Sequence, residues 1–174
     1  MGRKVEFPPD GARIRVTPQE VADAWRLRSS IPAQYVVGTA DHETDFTVNE
    51  RDTEPNGYIS IGIFQLSQDE AASIGLPNAN LLTLEDSCDV MAKIADKRMA
   101  LILSAANLTA PTPDCWFYLA LCHNQGWGAC HKTICAHGLD AAAWTARNPQ
   151  LAQAARYFND CMTGGARWSE VSLH

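Results

Sequence analysis

Glu43 is the residue whose type and position most clearly could do chemistry. If residues 32–43 form a helix, Val36, Ala40 and Glu43 fall at i, i+4 and i+7, so a carboxyl closes an otherwise apolar stripe. Desolvation at such a place raises the proton affinity of a carboxylate and keeps it protonated near neutrality. That is what a glycosidic general acid needs, because it must hand a proton to the leaving oxygen. The plain alternative is a helix-end Glu that points into solvent. Asp52 follows nine residues later, flanked by Glu50 and Glu54. A helix-end acid facing a second carboxylate across a cleft, roughly 6.5–9.5 Å away, makes an inverting pair in which the second group activates water. Three acids in a polar loop are otherwise ordinary solvated surface.

A second group of reactive types lies further on. Cys122-His123, Cys130-His131 and Cys135-x-His137 crowd one stretch. Zinc takes four Cys or His ligands, but there is no Cys-x-x-Cys pair and two of the His directly follow Cys, so the spacing fits no familiar zinc pattern. A structural role is the expectation, with no metal and no cofactor. With Cys88, Cys115 and Cys161 the chain has six cysteines, which allow fifteen disulfide pairings. Free buried thiols and disulfides formed in an oxidising space both remain open. Cys130 and Cys135 are close enough to pair across a loop. Cys115 and Cys122 sit about 10 Å apart along one expected helix and should not pair with each other. Trp127, between Gly126 and Gly128, either stacks on a sugar ring or packs into the core.

The elements that must position these groups are mostly helical. Residues 1–16 read as an extended arm. Thr17-Pro18-Gln19-Glu20 is a capping box with Pro at the first helical position, so a helix runs from there to about Arg28. Pro32 opens the helix that ends near Glu43. Residues 47–64 change character: Asn56-Gly57 favours a tight turn and Tyr58–Phe64 is rich in β-formers, which together predict a small hairpin. Ser67-Gln68-Asp69-Glu70 is a second capping box, whose helix stops near Gly75 and Pro77. A long helix is expected over Thr83–Ala105, with Val90, Ile94 and Leu101 at helical spacing. Thr112-Pro113 starts another. Two more are expected near 140–146 and 150–161, the second ended by Gly164-Gly165. Fold class is therefore mainly α (α+β), in one domain spanning 1–174.

Composition narrows the functions. The 174 residues suffice for one buried core, and 46% hydrophobic with 20% charged residues is ordinary for a globular protein. The net charge of −6 and the absence of a dense Lys/Arg block argue against nucleic acid as partner. No apolar run approaches the ~20 residues that span a membrane. Met1–Pro9 carries basic residues without an apolar segment behind them, so it does not read as a signal peptide.

Three motifs carry a resemblance. Glu43-Thr44-Asp45-Phe46 resembles the Glu-Ser-x-Phe signature of soluble lytic transglycosylases and goose-type lysozymes. Gly62-Ile63-Phe64-Gln65 resembles their Gly-Leu-Met-Gln segment, and Leu121–Gly126 sits where they have Ala-Tyr-Asn-x-Gly. Order and spacing agree over roughly residues 18–135. Asp52-Thr53-Glu54, followed by Gly57–Ile63, is also similar to the Asp-Thr-Glu-Gly-Tyr-x-Thr-Ile-Gly-Ile segment of phage-type lysozymes, with Pro55-Asn56 as an insertion. Both families share the lysozyme-like fold, which is helical with a small β-hairpin region flanking the substrate cleft.

The resemblance implies a peptidoglycan-degrading glycosidase that cleaves the β-1,4 bond between N-acetylmuramic acid and N-acetylglucosamine; chitin has the same linkage. Glu43 would be the acid in either family. In the phage-type scheme Asp52 is the second carboxylate and Ser60 helps to hold the attacking water, giving hydrolysis. In the transglycosylase scheme Glu43 acts alone, as acid and then base, and the product is a 1,6-anhydro sugar. Hydrolysis is the favoured expectation, because of Asp52 and the Tyr58–Ile63 match. Tyr58, Gln65, Asn124 and Trp127 are the expected substrate contacts. The sequence departs from the patterns at Thr44 for Ser, His123 for Tyr, Ser60 for Thr, and Phe64-Gln65 for Gly-His. The expected setting is a monomer made in the cytoplasm and acting on the bacterial wall, as a phage lysis enzyme or a virion-borne one. The rival from another class is a non-catalytic module that binds glycan, or one that binds zinc and a protein partner.

Overall fold

The computed structural model describes residues 4–6, 12–149 and 152–167, with side chains over 12–149 and 155–163. It is mainly helical. Helix α1 (Pro18–Arg26) starts at the Thr17 capping box, in which the Glu20 N–H donates to Thr17 Oγ1 at 3.2 Å and the Thr17 N–H to Glu20 Oε2 at 2.7 Å. The box satisfies two otherwise orphaned donors. α1 buries Val21, Ala22 and Trp25, and the Trp25 indole N–H donates to the Ile31 carbonyl at 2.6 Å. Helix α2 (Ala33–Thr44) is buried along most of its length, as its Tyr-Val-Val-Gly-Thr-Ala run requires. Asp45, in the left-handed region at φ 51°, ends it just past Glu43.

The chain then forms a small antiparallel sheet in the order β1-β2-β3, with β1 Lys4–Glu6, β2 Arg51–Thr53 and β3 Ile59–Ile61. Asp52 pairs with Ser60 in its register. The expected hairpin is present, with its turn shifted by one residue. Pro55-Asn56 occupy the corner, the Gly57 N–H closes back on the Glu54 carbonyl at 2.9 Å, and Gly57 takes φ 85°. Proline presets the first corner and glycine accepts the positive φ that follows. Of the extended arm expected over residues 1–16, residues 4–6 form β1 beside β2 and 12–16 are described, while 1–3 and 7–11 lie outside the described residues. Buried Asn49 holds the 12–16 stretch by accepting from the Ile14 N–H at 2.8 Å and donating to the Ala12 carbonyl at 2.7 Å.

The remaining helices are α3 (Gln68–Ser73), α4 (Leu84–Ala106), α5 (Pro113–Gln125), α6 (Trp127–His137), α7 (Ala141–Arg147) and α8 (Ala152–Arg167). α8 lies along α2, and α5 bridges α8 to α4, α6 and α7 around one hydrophobic core. Two boundaries differ from the sequence reading. Residues 127–137 form a helix where none was expected, so Cys130 and Cys135 lie on one helix, the first buried and the second exposed, and do not pair. α8 runs through Gly164-Gly165 to Arg167 instead of stopping there. Glycine costs a helix about 1 kcal/mol but does not forbid it. No helix among the described residues is long and apolar enough to cross a membrane.

Candidate functional site

A groove of about 480 Å³ opens between the end of α2 and the hairpin. His42 and Glu43 of α2 form one wall. Glu54, Asn56, Tyr58 and Ser60 line the groove from the hairpin, and Gln65 from the loop that follows. Glu70 of α3, Arg98 of α4, and His123, Asn124 and Gly126 at the end of α5 complete the lining. Five residues singled out from the sequence therefore meet: Glu43, Tyr58, Ser60, Gln65 and Asn124.

Local geometry fixes α2 and the hairpin region relative to each other. Thr44, next to the candidate acid, donates from Oγ1 to the Ile63 carbonyl at 3.1 Å, which ties the end of α2 to the loop after β3. That loop is tight: Ile61 and Leu66 exchange N–H···O bonds of 2.7 and 3.0 Å, while Ile63 and Phe64 are fully buried. Only glycine fits at position 62. Its φ is +74°, and a Cβ would lie 1.8 Å from the Leu81 carbonyl oxygen. Gln65, at φ 50°, then presents its side chain to the groove, with its amide donating to the Gly62 carbonyl at 3.0 Å.

The Glu43 side chain is 14% exposed. Its field reaches the buried Tyr157, Tyr35 and Cys161 behind the wall. His123 Nε2 lies 3.7 Å from Glu43 Oε1, and the His123 side chain is 6% exposed. Burial first, and then the Arg98 guanidinium, push the His123 pKa down to about 4, so this is a neutral imidazole beside a carboxyl and not an ion pair. Arg98 donates to Glu70 Oε1 at 2.7 Å. Glu70 Oε2 also accepts from the Ser67 N–H at 3.0 Å and the Tyr58 hydroxyl at 3.3 Å. Burial alone would raise the Glu70 carboxyl, but Arg98 and the Ser67 N–H hold it below the usual carboxylate value.

Two expected site residues lie elsewhere. Asp52 is 1% exposed and is not among the groove's lining residues, although the ladder pairs it with Ser60 on the same face of the sheet. Trp127 is also absent from the lining. As the first residue of α6 it is part-buried, packs on the core, and its ring lies 5.0 Å from that of His131. Arg98, His123, Glu70 and His42 were not singled out as site residues. Arg98 had a signal of the kind that marked Glu43: it stands four residues from both Ile94 and Ile102, a charge inside an apolar helical stripe. Among the described residues, no three His, Cys, Asp or Glu side chains come close enough to share a metal ion. The cysteines are all free, five buried and Cys135 exposed.

Compared with protein-family models, curated proteins and solved structures, the chain matches none.

Proposed function

We propose that the protein is a lysozyme-like glycosidase that cuts the β-1,4 bond between N-acetylmuramic acid and N-acetylglucosamine in peptidoglycan, with Glu43 as the general acid. The observation that carries this reading is the largely buried Glu43 carboxyl, which lines a polar groove together with Ser60 and Gln65. Little water reaches it and the nearest imidazole is neutral, so the carboxyl is suited to hold a proton at neutral pH and give it to a glycosidic oxygen. Tyr58, Gln65 and Asn124 supply an aromatic face and amides for sugar hydroxyl and N-acetyl groups.

The burial of Asp52 favours one route over the other. A base for water must reach the groove, and Asp52 does not line it. The single-acid route asks nothing of Asp52. Glu43 protonates the leaving oxygen, the C1–O bond breaks, and the resulting carboxylate takes the proton of the substrate's own 6-hydroxyl as its oxygen bonds to C1. The product is a 1,6-anhydro end. Hydrolysis instead leaves a reducing end.

The test is digestion of purified peptidoglycan by wild type and Glu43→Gln, with mass spectrometry of the released fragments and chitin as a parallel substrate. The expected result is anhydro-ended muropeptides from wild type and a loss of about 10²–10⁴-fold in the variant. Equal release by both proteins, or by neither, ends the enzymatic reading. Retained glycan binding without cleavage by either protein would identify a binding module.

A further inference from the structure

We propose that His123 is a positioning residue for Glu43, locked by Phe64 and Arg98 as a neutral imidazole with its proton on Nε2, so that Glu43 faces an N–H dipole instead of a cation. This rests on the reading of Glu43 as the acid.

The tautomer follows from what each partner can do. The Phe64 carbonyl lies 3.0 Å from Nε2 and can only accept, so Nε2 carries the hydrogen. Arg98 Nη1 lies 3.4 Å from Nδ1 and can only donate, so Nδ1 offers its lone pair. A second proton on Nδ1 would point at a guanidinium. The ring is buried, and Tyr157 stacks on it with centroids 6.0 Å apart and planes 23° apart, which removes the water an imidazolium would need. The Nε2 edge that faces Phe64 is also the edge 3.7 Å from Glu43 Oε1.

The other titratable and charged groups packed around this pair come from every neighbouring element. From α4 comes Arg98, matched by Glu70 of α3. From α2 comes His42, which meets Asp160 of α8 at 3.2 Å. Tyr35, Tyr157 and Cys161 are pushed upward by burial and stay protonated and uncharged across the working range. Cys122 of α5 is buried, and Tyr58 of the hairpin touches Glu70. Glu54, in the groove lining, adds negative charge. An imidazolium at position 123 would be a cation in near contact with Glu43. It would stabilise the carboxylate and strip the acid of its proton.

The experiment uses the full chain with labelled histidine and glutamate. The ring nitrogens of His123 and the side-chain carboxyl carbon of Glu43 are followed by NMR from pH 4.5 to 8 in wild type, His123→Gln and His123→Lys. Gln supplies a neutral N–H donor and Lys a cation. The proposal expects an Nε2–H ring that gains no proton between pH 5 and 8. It expects Glu43 to titrate alike in wild type and His123→Gln, and at least one unit lower in His123→Lys, a tenfold weaker hold on the proton. A wild-type His123 that titrates between pH 5 and 8, or an Nδ1–H tautomer, overturns it, as does an unchanged Glu43 in the Lys variant. Should the Lys variant fail to fold, Arg98→Met replaces it. Loss of the opposing cation should then bring His123 into titration within the window, and a silent ring overturns the proposal. These readouts need no turnover, so absence of wall cleavage would remove the glycosidase reading while the state of His123 is decided separately.

Discussion

Asp52 and Ser60 are directly paired across the β2–β3 ladder, yet only Ser60 lines the groove. Cross-strand partners share a face, so the register aims both side chains to one side of the sheet, and it is burial that keeps Asp52 from the groove. The expected outcome is that Asp52→Asn keeps peptidoglycan cleavage within about tenfold of wild type, far from the 10²–10⁴-fold expected for losing an acid. Muropeptide release at matched thermal midpoints checks it. A loss as deep as that of Glu43→Gln would restore the two-carboxylate scheme.

What could be read along the chain was what is encoded locally. The Thr17–Glu20 and Ser67–Glu70 boxes each need only four consecutive residues, and both form. The stripe ending at Glu43 was legible for the same reason. α6 was not, because Gly126 gives it no side-chain cap and its buried face is little more than Cys130 and Ile134. Tertiary packing holds that helix, and packing leaves a weak local trace. The cluster around His123 is harder still. Arg98, His123, Glu70 and Phe64 come from α4, α5, α3 and the loop after β3, and no spacing rule connects them. Asp52 illustrates the reverse case, in which a motif match names a residue and packing over the strand then buries it, although its ladder partner Ser60 reaches the groove.

Gly38 should be irreplaceable. A Cβ there would lie 2.1 Å from the Cys161 Cα and 2.5 Å from the Asp160 carbonyl oxygen, so α8 would have to move off α2. Overpacking of this kind costs about 1–3 kcal/mol, or roughly 2–9 °C in Tm for a chain of this size. Gly38→Ala is expected to fall at the upper end, because the clash is with backbone. Calorimetry checks it, and an unchanged Tm would mean that the two helices are not in this contact.

Thiol reactivity should separate the cysteines sharply. Burial pushes Cys88 and Cys161 up to about 12, and Cys130 is held protonated by its contact with the Cys122 thiol and by burial. Thiols in this state are poor nucleophiles. Of the six free cysteines only Cys135 is exposed, beside His131 Nε2 at 3.3 Å. A disulfide reagent should therefore label one thiol quickly in the folded protein and six in denaturant. Fewer than six in denaturant without reductant would reveal a disulfide.

Acid should weaken the fold before it reaches the usual carboxylate range. Unfolded histidine takes a proton near pH 6.5, whereas His123 in the folded chain resists until about 4. Between those values the unfolded state binds the extra proton, so stability is full above about 6.5 and falls as the pH drops toward 4. A difference of that size corresponds to a loss on the order of 3 kcal/mol. Glu70 acts in the same direction at lower pH. Its folded carboxyl is held below the ordinary value, so its contribution is present above that value and disappears as the pH falls through the folded one. Urea midpoints measured from pH 7.5 to 4 should therefore decline in two overlapping stages. His123→Gln has no proton to gain and should lose the upper stage while keeping the lower. If the variant and the wild type decline in parallel between pH 6.5 and 5, His123 is not the buried neutral group that its neighbours require.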